Sequence, residues 1–200
     1  NNKYIILFNG EIYNHLELSN LLCKNYKNKG DTKVLLDLFT KFGIRNTLKK
    51  ITGIFSICIL DKEHETLYLH RDVFATKPLY FYLKDNKLTI SSNVKSIAIV
   101  QEDNKVGDLS EYGELFFLLF GFTFISKKTT HEISELNPGS LYQIDINNLT
   151  IKHTKIDYSS LKGTNHINWE KEIIDSYNAD VPISILLSGG VDSTFLASLN

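Results

Sequence analysis

The sequence predicts an α+β protein that runs into the opening strand and helix of an α/β nucleotide-binding unit, and three observations carry the prediction. Helical and strand patterns come in blocks that do not alternate strictly: after one short strand come two amphipathic helices, then a dense series of short strands. A polar stretch, Ser159 to Asn165, reads as a linker. After it, the apolar run Val181-Pro182-Ile183-Ser184-Ile185 leads into Leu186-Leu187-Ser188-Gly189-Gly190-Val191-Asp192-Ser193-Thr194 and then Phe195, Leu196 and Leu199, the order of a strand, a glycine turn and an amphipathic helix.

The elements follow in chain order. Tyr4 to Phe8 is a short apolar strand that ends at Asn9-Gly10, a common hairpin-turn pair. Asn14 caps a helix, with Glu17 completing a capping box and Leu18, Leu21, Leu22 and Tyr26 on one face. Polar residues Lys24 to Lys29 and Gly30 break it. Asp31-Thr32 opens a second helix whose Val34, Leu35, Leu38, Phe39 and Phe42 share a face, and Gly43 closes it. Strands are expected at Gly53 to Leu60, Thr66 to His70, Leu79 to Leu83 and Lys87 to Ser91, separated by charged turns. A helix begins near Asn93 and another covers Ser110 to Leu119. The apolar run Leu115 to Phe120, continued after Gly121 to Ile125, is too short for a membrane span of about 20 residues and reads as buried core. Asn137-Pro138-Gly139 turns the chain into strands Leu141 to Ile146 and Thr150 to Ile156, and Trp169 to Tyr177 is a helix leading to the last strand.

Composition narrows the class. With 22 basic and 23 acidic residues the net charge is −1, so bulk electrostatics predict neither nucleic acid nor an anionic membrane as partner. No signal region opens the sequence, which makes cytoplasm the expected location. Cys23 and Cys58 are the only cysteines; both read as small buried hydrophobes rather than as a disulfide framework or reactive thiols. The six histidines show no metal-like pairing. The absence of methionine and the start at Asn1 suggest a segment of a longer protein.

Two stretches carry chemistry. In the first, Gly189 and Gly190 let backbone N–H groups approach an anion at a helix start, and Ser188, Ser193 and Thr194 add hydroxyl donors. Asp192 would repel a bare phosphate, so a divalent cation such as Mg²⁺ is expected between it and a nucleotide polyphosphate. The loop lacks the lysine of the G-x-x-x-x-G-K-[ST] motif. In the second stretch, the Asn9 amide and Gly10 N–H are suitable donors to an oxyanion, and Glu11 and Asp31 are acids suited to an ammonium group. By themselves these residues read first as an ordinary turn.

The blocks Phe8-Asn9-Gly10-Glu11-Ile12-Tyr13-Asn14, Gly30-Asp31-Thr32, Gly53-Ile54-Phe55-Ser56, Arg71 to Tyr80, Leu136-Asn137-Pro138-Gly139 and Ser188-Gly189-Gly190-Val191-Asp192-Ser193 resemble, in order, those of the glutamine-hydrolysing asparagine synthetase family. The last resembles the S-G-G-x-D-S loop of the ATP pyrophosphatases. This resemblance implies an Ntn-hydrolase-type αββα sandwich over residues 1–158, a linker at 159–166, and the start of a doubly wound PP-loop domain at 167–200. It implies glutamine, ATP and aspartate or another carboxylate as partners, with ATP and Mg²⁺ as cofactors. Asn9 and Gly10 take the oxyanion-hole role, and Glu11 and Asp31 hold the glutamine α-amino group. Ser188, Gly189, Gly190, Asp192 and Ser193 bind ATP, with Asp192 on the Mg²⁺ that accompanies pyrophosphate. Ammonia from glutamine would then attack an adenylated aspartate. Whether the protein is a homodimer stays open.

Departures from the family pattern matter equally. No cysteine precedes Asn9, so the family's nucleophile is absent, as is its upstream arginine, and the chain by itself is expected to be catalytically incompetent. Lys33 stands where the family has Glu, Ala75 where it has Gly, and Asn93 where Ser-Glu-x-Lys is usual. Arg71-Asp72 reads as a structural ion pair. A β-lactam synthetase-like ligase without glutaminase activity and a non-catalytic remnant are the alternative readings.

Overall fold

The computed structural model describes residues 3–22, 26, 30–101, 106–126, 129–130, 132–158, 168–177 and 182–199. They fall into two compact units, one holding Asn2–Asn9 with Ile54–Lys155 and the other Gly10–Gly53 with Ile156–Asn200. The predicted linker at Ser159 to Asn165, and Cys23, lie outside the described residues.

The first unit is built on two sheets. The strands are β1 (Tyr4–Ile12), β2 (Gly53–Asp61), β3 (Thr66–Arg71), β4 (Tyr80–Lys84), β5 (Lys87–Ser91), β6 (Ile133–Glu135), β7 (Ser140–Asp145) and β8 (Ile151–Lys155). The five-stranded sheet has the order β1-β2-β3-β7-β8 and the three-stranded sheet β5-β4-β6. Side chains alternate along a strand, so cross-strand partners share a face. Cys58 opposes Leu69, and Leu69 opposes Tyr142. That face meets the second sheet: Leu69, Tyr142 and Ile144 pack with Leu79, Phe81 and Leu136. Each fully buried aliphatic side chain here contributes about 2 kcal/mol of transfer free energy. On the other face of the small sheet, Tyr82 and Ile133 pack against Ile97 of α4 (Val94–Gln101) and against Val106. Asn93 departs from the family pattern but keeps a capping function, its Oδ1 accepting the Lys95 N–H at 2.8 Å.

Helix α5 (Glu111–Phe120) overturns one expectation. Ser110 Oγ accepts the Gly113 N–H at 3.1 Å and Gly121 ends the helix at φ +74°, as the capping residues suggest. The apolar run is not core: Leu118 is 81% exposed and Leu119 67%. The helix rests on its glycine, since a Cβ at Gly113 would overlap the Thr129 carbonyl oxygen. That contact turns the bulky stripe outward. Phe116 there packs on Phe120, Phe122 and Phe124 at centroid distances of 4.6, 5.9 and 5.2 Å.

His70 is fully buried in β3, its ring 5.7 Å from that of Phe55. Its Nδ1 lies 2.9 Å from the Ser140 carbonyl oxygen, which can only accept, so Nδ1 carries the hydrogen. Burial pulls its pKa down to about 4, against weaker opposing pulls from the Ser140 bond and the Asp72 charge. The unfolded chain takes up this proton near pH 6.5 and the folded protein only near pH 4. Between those values the unfolded state binds more protons, so stability is full above pH 6.5 and falls as the pH drops, by about 3 kcal/mol in all. Urea unfolding at pH 7 and pH 4.5 checks this, with His70→Gln expected to flatten that part of the profile.

The second unit holds α1 (His15–Ser19), a short 3₁₀ turn at Asn20–Leu22, α2 (Asp31–Phe42), α3 (Ile44–Leu48), α6 (Trp169–Ser176) and α7 (Val191–Ser198). Helix α2 buries Val34, Leu35, Leu38 and Phe39, the predicted face, and packs on α1 and α3. Asn14 precedes α1 but its side chain does not cap it. It instead bridges two backbone groups, Nδ2 donating to the Lys50 carbonyl and Oδ1 accepting the Thr52 N–H, both at 2.9 Å. These two bonds occupy the Asn14 amide in place of the capping box. The predicted strand before the phosphate loop is not formed either: residues 182–187 carry no sheet pairing and are mostly exposed. A strand needs a neighbour to hydrogen-bond with, and none of the described residues supplies one.

Candidate functional site

Strand β1 does not stop at Asn9-Gly10 but continues to Ile12. Gly10 is what allows the continuation, because its φ of +142° is closed to other residues. The close crossing of β1 and β2 adds a second glycine requirement, for a Cβ at Gly53 would overlap the Glu11 carbonyl oxygen. The Asn9-Gly10 pair is therefore a twisted strand segment rather than a hairpin turn.

Asn9 is exposed and lines a cavity of about 350 Å³ together with Phe8, Ser56, Cys58, Leu79 and Ser91. Ser56 stood out in the sequence only as part of the Gly53-Ile54-Phe55-Ser56 block, and Ser91 not at all. The signal was present as hydroxyls at alternate positions of apolar strands, where a Val or Ile is the ordinary choice. Burial pushes the Cys58 thiol up to about 11, so it is neutral and unreactive near pH 7, as its place in an apolar strand suggested.

Asp31 opens α2 and is almost fully buried. Its Oδ2 accepts the Ile12 N–H at 3.1 Å and its Oδ1 accepts the Thr32 hydroxyl at 3.2 Å. The carboxylate thus ties the start of α2 to the residue next to Glu11. The sequence gives no sign of this tie between Asp31 and Ile12. Lys33 pairs with Asp37 at 3.0 Å.

The Arg71-Asp72 motif performs two separate structural tasks instead of forming an ion pair. Arg71, nearly fully buried, donates to the carbonyls of Lys77, Leu136 and Ala75 and pairs with Glu135 at 2.7 Å. Asp72 turns its carboxylate on the loop that follows, accepting the N–H groups of Phe74 and Thr76 at 2.9 Å each. Ala75 sits in that loop at φ +53°, left-handed and costly for a residue with a Cβ. Ala75→Gly is expected to stabilise the protein by about 0.5 kcal/mol, the relief of strain exceeding the added unfolded-state entropy. Thermal unfolding of the two proteins measures the difference.

The predicted phosphate loop is compact. Gly189 has φ +81° and open space where a Cβ would lie. Ser188 Oγ lies 3.0 Å from Ser193 Oγ, Gly190 precedes the first turn of α7, and Asp192 falls in that turn. Two paired hydroxyls sit at an exposed helix start that carries an acid in its first turn, residue types that suit a polyphosphate with a divalent cation.

A family model described as "Glutamine amidotransferase domain" matches residues 1–155. Asparagine synthetase (glutamine-hydrolysing) 1 of Bacillus subtilis strain 168 is 32% identical over 98% of this chain and 32% of its own length. The human asparagine synthetase (glutamine-hydrolysing) is 24% identical over 96% of this chain and 35% of its own. The chain thus spans about a third of the length of these relatives. Among solved structures, the glutamine phosphoribosylpyrophosphate amidotransferase of B. subtilis, complexed with ADP and GMP, superposes with a TM-score of 0.52 at 18% identity. That match covers 78% of this chain and 30% of the other. The likeness shows a shared fold, in keeping with the α+β class expected from the sequence.

Proposed function

The chain belongs to the glutamine amidotransferase domain family, and from that premise we propose that it carries the glutamine site of an ATP-consuming, amide-forming ligase of asparagine synthetase type. The observation that supports this most is the Asn9-Gly10 pair. A cavity-lining amide is followed at once by a glycine whose φ of +142° no other residue adopts readily.

In this reading the Asn9 side-chain N–H and the Gly10 backbone N–H stabilise the negative charge that develops on the glutamine amide oxygen. Glu11 and Asp31 hold the substrate's α-ammonium group, Asp31 with its orientation already set by Ile12 and Thr32. Cys58 does not take the nucleophile's role, because its thiol is neutral at working pH. The family's nucleophilic cysteine stands ahead of the Asn-Gly pair.

Ser188, Gly189, Gly190 and Ser193 would hold the phosphates of ATP and Asp192 the accompanying Mg²⁺. When bound, ATP supplies the activation of an acceptor carboxylate, with aspartate the acceptor that the relatives' names favour. Residues 1–158 then form the glutamine domain, 159–166 a linker and 167–200 the start of the ATP domain. Full-length protein given glutamine, aspartate and MgATP is expected to release glutamate, AMP and pyrophosphate. Failure to form pyrophosphate with any of a panel of carboxylates would sink the ligase reading, and pyrophosphate without glutamate would favour a β-lactam synthetase-like ligase.

A further inference from the structure

A larger cavity, about 750 Å³, opens in the sheet unit away from Asn9. Phe81, Phe124, Tyr142 and His153 line it, the last two with rings stacked 5.2 Å apart at 21°. This is the size range and aromatic character of a small-molecule site. Among its polar lining, beside Ser126, Ser134, Asn137 and His153, are the charged pair Arg71 and Glu135, and both are incompletely used. A guanidinium has five N–H donors. Four are engaged: Nε with Lys77, Nη1 with Glu135 and Leu136, Nη2 with Ala75. The fifth, on Nη2, has no acceptor among the described residues. Glu135 uses Oε1 for Arg71, and its Oε2 accepts nothing among the described residues.

We propose that this cavity binds a neutral, flat heteroaromatic molecule through an edge that carries a hydrogen-bond acceptor beside a donor, as in a free nucleobase or a nicotinamide ring. The spare Arg71 N–H meets the ligand's acceptor and Glu135 Oε2 its donor. The paired charges cancel, which removes any preference for an anion or a cation. Aromatic walls select for flatness, and an unused buried donor rewards an edge that satisfies it.

The probes are adenine and nicotinamide, with indole as a ring that offers a donor but no adjacent acceptor. Saturation-transfer NMR and calorimetry on full-length protein are expected to show adenine or nicotinamide binding at least tenfold more tightly than indole. Glu135→Gln keeps an oxygen for Arg71 but replaces the free acceptor with a donor, and it should weaken the preferred probe about tenfold. His153→Ala, a change at an exposed ring, should weaken all rings alike. Both variants are first checked for wild-type melting temperature. Absence of binding up to 5 mM, indole binding as well as adenine, or affinity unchanged in both variants would overturn the proposal. None of these results depends on glutamine or ATP turnover.

Discussion

Asp72→Ala is expected to destabilise the protein by about 3 kcal/mol, which for a chain of this size lowers the melting temperature by about 6–12 °C. Its carboxylate accepts four hydrogen bonds: from the N–H groups of Phe55, Phe74 and Thr76 and from the Thr76 hydroxyl. The residue is nearly fully buried, so removing the acceptor strands the Phe55 N–H, while the exposed Phe74 finds water. The backbone of Asp72 adds ties to Phe55, Ala75 and Gly139. Those survive the substitution, which keeps the expected loss below that of unfolding the loop. Thermal and urea unfolding measure it; Asp72→Asn, retaining one acceptor oxygen, should lose less. A loss under 1 kcal/mol would show that the loop is held by its backbone alone.

Asn9→Ala is expected to lower kcat for glutamine hydrolysis by full-length protein about 10²–10³-fold, the usual effect of deleting one oxyanion donor. KM should change little, because the donor engages charge that exists only in the transition state. Asp31→Asn should behave oppositely. It preserves an acceptor for the Ile12 N–H but halves the negative charge offered with Glu11 to the substrate's ammonium group, so KM rises while kcat holds. The contrast separates stabilisation of the developing charge from ground-state binding. Stability should change little in the Asn9 variant, since the side chain is exposed.

Much of this was legible in the residues. The α2 period of Val34, Leu35, Leu38 and Phe39 was readable because the helix buries one continuous face, and β2, β3, β5 and β7 were readable as short apolar runs bounded by charged turns. The misreadings share a physical cause: a local signal lost to a long-range partner. Asn14 had the sequence of a helix cap, but Lys50 and Thr52 took its amide. Asn9-Gly10 had the sequence of a turn, yet the strand runs on through a glycine at positive φ. Leu115 to Phe120 had the hydropathy of core, and Gly113 against Thr129 turned it outward. β6 is three residues long and exists only by pairing with β4, which no window of sequence around Ile133 reveals. Within the candidate site, residue types were readable but not partners. Nothing in the sequence joins Asp31 to Ile12, or Arg71 to Glu135 in preference to Asp72.

The most direct test of the amide-forming reading follows one nitrogen atom. Full-length protein is incubated with glutamine labelled with ¹⁵N in its side-chain amide, together with aspartate and MgATP, and the products are separated and analysed by mass spectrometry. The reading predicts ¹⁵N in the side-chain amide of newly formed asparagine, with glutamate and pyrophosphate in equal amounts. Label that stays in glutamine, or that appears only as free ammonium while aspartate is unchanged, would contradict it.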